Sequence, residues 1–60
     1  MNKQELHNKR HAHERAYTHN NMEVCDNILA ELKAEKYDVL VSLLKKCEWQ
    51  LAYEWINDIV

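Results

Sequence analysis

Sixty residues without a single glycine or proline leave a chain few folds to choose from. Tight hairpin turns lean on residues that accept positive φ cheaply, glycine first among them. Helix interiors, by contrast, exclude both glycine and proline. Ala, Leu, Glu and Lys are plentiful, so the expectation is an all-α fold. At this length it is one small domain covering residues 1–60. A chain so short buries only about 60% of its unfolded surface, and such scaffolds commonly add a disulfide, a metal or a second copy.

The charge is uneven. Within residues 1–20, Lys3, Lys9, Arg10 and Arg15 face only Glu5 and Glu14, and all four histidines lie there. Residues 21–60 carry eight acids against four lysines. The net charge of −2 is too mild to imply a nucleic-acid or acidic partner for the whole chain. Residues 1–20 nonetheless read as a basic, His-rich arm or helix start, and the plainer reading is a solvated helix face. The N-terminus has no apolar leader-like run, and no segment reaches the roughly 18–20 uncharged apolar residues that span a bilayer. The expectation is a soluble, cytoplasmic protein with no membrane partner.

Helical periodicity gives the elements. Leu6, His13 and Tyr17 make a thin stripe along the first helix. Thr18-His19-Asn20-Asn21 is weakly helical, and Asn20 with Glu23 resembles a capping box, which suggests a break. The apolar phase nevertheless runs on from Leu6, His13 and Tyr17 into Val24 and Ile28. That favours one long helix, with Asn20-Asn21 as the place for a kink. Residues 22–36 are clearly amphipathic, with Val24, Cys25, Ile28, Leu29 and Leu32 on one stripe. Asp38 suits an N-cap for a second, shorter helix over 39–57.

That second helix carries two apolar faces. Leu40, Leu43, Leu44, Cys47, Leu51 and Trp55 form one, expected to pack antiparallel on Val24–Leu32 as a helical hairpin. Trp49, Tyr53, Ile56 and Val60 form the other. A two-helix hairpin has no third layer to cover it, and Trp and Tyr are enriched at binding hot spots. The expected solution is a homodimer that closes a helical bundle, or a host protein docked on the same face.

Candidate chemistry is sparse. His7 and His11 stand one turn apart and could form one edge of a zinc site, with His13 as a further ligand. A structural site normally needs four ligands, so no metal is expected. Cys25 and Cys47 sit on core-side positions at similar heights, close enough to oxidise in air, though a small buried thiol is the simpler role. There is no nucleophile–base pair at a recognisable spacing and no cofactor motif, so the chain reads as no enzyme.

The ending CEWQLAYEWINDIV, in a tiny Gly- and Pro-free helical chain, resembles the small accessory proteins of the exo–xis early region of lambdoid temperate phages. The resemblance is one of overall style and carries no site residues. It implies a non-enzymatic early protein that modulates host physiology or the lysis–lysogeny decision. The expected function is therefore that of a small helical interaction or regulatory protein. The alternative is a weak nucleic-acid-associated regulator using Lys3, Lys9, Arg10 and Arg15.

Overall fold

The computed structural model describes residues 1–59. Within them the chain is all-α, with α1 at Lys3–Thr18, α2 at Met22–Ala34, α3 at Asp38–Lys45 and α4 at Trp49–Ile59. Where a hairpin of one long and one shorter helix was expected, each of the two helices is broken. The chain breaks at Asn20-Asn21 and, unforeseen, at Lys46–Glu48. The four-helix packing that the sequence suggested for a pair of chains is reached within one.

The starts and stops have local causes. Asn2 caps α1, its Oδ1 accepting from the Glu5 N–H at 2.8 Å while its own N–H donates to Glu5 Oε1 at 3.5 Å. Asn21, not Asn20, caps α2, accepting from the Val24 N–H at 3.4 Å. Tyr37, not Asp38, stands at the N-cap of α3 and makes no side-chain cap bond, while Asp38 lies in the first turn, where its charge suits the helix dipole.

The first three helices end in the same way. One residue takes a left-handed conformation, and two amides fold back on the last turn. Asn20 (φ 57°) ends α1, with Asn20 N–H on Tyr17 O at 3.0 Å and Asn21 N–H on Ala16 O at 2.7 Å. Lys36 (φ 66°) ends α2, with amides on Lys33 O and Leu32 O at 2.9 and 3.0 Å. Cys47 (φ 58°) ends α3, with amides on Leu44 O and Leu43 O, both at 3.0 Å. Glycine is the usual residue there; this chain has none and uses three ordinary residues.

Helices α1 and α2 run antiparallel. Lys9 Nζ meets Glu31 Oε2 at 2.7 Å, the Cys25 thiol donates to His13 O at 3.7 Å, and the Met1 amine reaches Glu35 Oε1 at 3.2 Å. Every helix gives to one core. Leu6 comes from α1, Ile28 and Leu32 from α2, Leu40, Val41 and Leu44 from α3, Ala52 and Ile56 from α4.

The Cys47 turn changes which side of α4 is buried. A straight helix over 39–57 would have carried the leucine stripe on through Leu51 and Trp55. The turn resets the helical phase, so Ala52 and Ile56 face the core and Leu51 is 49% exposed. Folding back gives this short helix a packed face, which a helix of this length needs to be stable. Val24 is also exposed, because the buried row of α2 narrows to Cys25, Ile28 and Leu32. Leu29, Leu43, Cys47 and Trp55 are half-buried, and Leu40 and Leu44 fully so.

Candidate interaction site

Helix α1 lies along one flank of α4 and supplies the third layer that a hairpin lacks. The face expected to receive a partner is therefore largely occupied from within. Ile56 is fully buried, Trp49 is half-buried and Tyr53 keeps 44% of its surface. Val60, the fourth member of that set, lies outside the described residues.

The α1–α4 seam is aromatic and polar. His7, Arg10, His13 and Tyr17 recur at helical spacing along α1 and meet Trp49, Tyr53 and Asn57 of α4. The His7 and Tyr53 ring centres are 4.8 Å apart, and the Arg10 guanidinium sits 5.5 Å above the Tyr53 ring. Tyr17 meets Trp49 edge-on at 5.6 Å, and His13 lies 6.4 Å from both Tyr17 and Trp49. His7 Nε2 pairs with Asn57 Oδ1 at 2.9 Å. A shallow groove of about 300 Å³ opens along this seam between Arg10, Glu14, Trp49, Gln50 and Tyr53.

The seam is poorly satisfied. Among the described residues, four enclosed side-chain atoms have no protein hydrogen-bond partner, namely His7 Nδ1, Arg10 Nε, His13 Nδ1 and Trp49 Nε1, and all four belong to it. Helix α1 is held on α4 by ring contacts and the Leu6 anchor, at a junction rich in polar side chains.

His13 is the extreme case. It is 2% exposed, and burial pushes its imidazole below the ordinary value near 6.5. Tyr17 and Trp49 pack on it, and on its own helix Arg10 and Glu14 are paired with each other at 3.3 Å. A folded pKa below the unfolded one means that stability is full above about pH 6.5 and falls as pH drops through the lowered folded value. Urea unfolding across that range should show this loss. A His13→Phe variant should show a smaller loss. Equal slopes for the two proteins would refute the assignment.

The remaining expected site residues fall apart. Lys3 Nζ donates to Asn57 O at 3.4 Å, Lys9 is paired with Glu31, Arg10 is paired with Glu14 over Tyr53, and Arg15 lies exposed in the last turn of α1. They form no common basic face clear of other contacts. His7 is turned into the seam and His11 is exposed. Among the described residues no three His, Cys, Asp or Glu side chains converge as a metal site would need. Both cysteines are free thiols. Cys25 is buried, which pushes its thiol pKa up, and Cys47 sits half-buried beside the Tyr17 hydroxyl, which raises that phenol's pKa.

The outward flank of α4 is different in kind. Leu51, Trp55 and Ile59 recur at i, i+4 and i+8, so they share one row. Trp55 is half-buried, its ring edge-on to Tyr37 at 6.4 Å, while Leu51 and Ile59 are exposed, Ile59 to 64%. Glu54 and Asp58 stand beside the row, and no basic residue lies in the last turn. No helix among the described residues is long and apolar enough to cross a membrane.

No family model matches the chain, and no curated protein or solved structure matches it either.

Proposed function

We propose that this protein is a non-enzymatic interaction module that docks a protein partner on the outward row of α4. The observation that carries the reading is the Leu51–Trp55–Ile59 row. It consists of large apolar side chains at one-turn spacing on a helix whose other side is already packed. An amphipathic helix with such anchors is a common unit of recognition. Glu54 and Asp58 beside the row select a partner whose apolar groove has a basic rim.

The groups lining the groove are an ion pair, an amide and two rings, a set suited to contact rather than to bond-making. The nucleic-acid alternative has less support, because Lys3, Lys9 and Arg10 are engaged within the chain. A gel shift at low salt would revive it. An early phage accessory role, the class that the chain resembles, would place the partner in the cytoplasm of the host.

The test is recovery of a partner from the native host with the wild type and with a Leu51→Glu, Ile59→Glu double variant. Both sites are exposed, so circular dichroism should show an unchanged fold. The variant should lose the partner. A partner retained at wild-type yield would sink the reading.

A further inference from the structure

We infer that α1 can leave its own α4 and dock on a second copy of this chain, giving an exchanged dimer hinged at Asn20. The linker is only His19–Asn21, and it turns on one left-handed residue. Short hinge loops under strain favour such exchange. Leu6, His13, Tyr17, Val24 and Ile28 keep helical spacing across the linker, Tyr17 and Val24 being exposed in the closed chain. Returning Asn20 to helical φ therefore fuses α1 and α2 into one helix, Lys3–Ala34, about 48 Å long. The closed chain is only 29 Å in its longest dimension.

The geometry closes on a two-fold axis. In the single chain α1 and α2 are antiparallel neighbours. Two opened chains laid antiparallel place each α1 against the partner's α2 and α4. The Lys9–Glu31 pair, the Cys25–His13 contact and the Trp49 ring cluster then re-form between copies. The second copy is the one occupant certain to fit this face, because it brings the same helix. The polar side chains of the seam, His7, Arg10 and Asn57, can be rehydrated when it opens, so its release costs less than that of an apolar interface. This dimer leaves the outward row of α4 free, so it stands or falls apart from the docking reading above.

The test uses the full chain with Asn20→Ala and Asn20→Gly. Alanine disfavours the left-handed turn and favours helix, so the dimer association constant should rise about tenfold or more. Glycine keeps the closed turn, and that variant should stay monomeric at the same concentration by analytical ultracentrifugation. In a mixture of isotope-labelled and unlabelled Asn20→Ala chains, nuclear Overhauser contacts between His13 or Tyr17 and Trp49 should pass between molecules. A folded monomer at millimolar concentration overturns the inference. So does a dimer whose His13–Trp49 contacts stay within one chain. An unfolded variant overturns it too, because exchange retains every α1 contact and should rescue the fold.

Discussion

Ile56→Ala should unfold much of this protein rather than merely free it from a partner. Ile56 is fully enclosed in the core that all four helices build, beside Ala52 and the leucines of α2 and α3. Deleting its three outer carbons costs about 2–5 kcal/mol, the spread reflecting how far the cavity collapses. Domains commonly hold about 5–15 kcal/mol in total, and one of sixty residues belongs at the low end. Urea denaturation followed by far-UV circular dichroism should show a collapsed midpoint or no folded baseline. Leu32→Ala, equally enclosed, should behave alike. Tyr53→Ala, one turn away on the exposed edge, should keep a cooperative transition. An Ile56→Ala protein with a wild-type midpoint but altered self-association would mean that α1 does not cover this face.

The second large effect runs the other way. Lys36→Gly should stabilise the fold. A left-handed residue with a Cβ costs roughly 1–2 kcal/mol, and glycine gives back about 0.5–1 through its greater freedom in the unfolded chain. A net gain of roughly 0.5–1 kcal/mol follows, and in a domain this small 1 kcal/mol moves Tm by about 4–8 °C. Lys36 is exposed, and its side chain makes no hydrogen bond or ion pair among the described residues, so little opposes the gain. Cys47→Gly should add less, because the thiol also lies beside Tyr17. Lys36→Ala is the control and should leave Tm nearly unchanged. A Lys36→Gly protein that melts no higher than the wild type would show that the turn carries no such strain.

The helical class was legible because it follows from what the chain lacks. The stripes of α2 and of the first half of the C-terminal stretch were legible too, since Ile28, Leu32, Leu40 and Leu44 sit at clean helical spacing. The break at Cys47 was not. No glycine marks it, and the leucine stripe runs across it in phase, so periodicity alone argues for one helix. That single turn decides which flank of α4 is inside. Ile56 therefore moved from expected interface to core, and Leu51 from expected core to surface. The covering role of α1 was hidden for another reason. Its inward row adds His7 and Arg10, which a hydrophobicity pattern counts as polar, to the thin stripe of Leu6, His13 and Tyr17. The signal was their shared spacing of three and four, matched by Trp49, Tyr53 and Asn57 across the seam. The Asn20-Asn21 stretch carried both readings at once, a cap and an unbroken phase, and the structure uses the cap.

The order in which the helices pack has a kinetic meaning. Helix α1 lies on α2, α2 on α3 and α3 on α4, so most partners are neighbours along the chain. Only the seam between α1 and α4 joins its two ends. Low contact order of this kind goes with refolding in about microseconds to milliseconds. The sequence holds no proline, so no slow prolyl isomerisation should trail behind. The end-to-end seam should therefore zip last, onto a scaffold of three helices already in place.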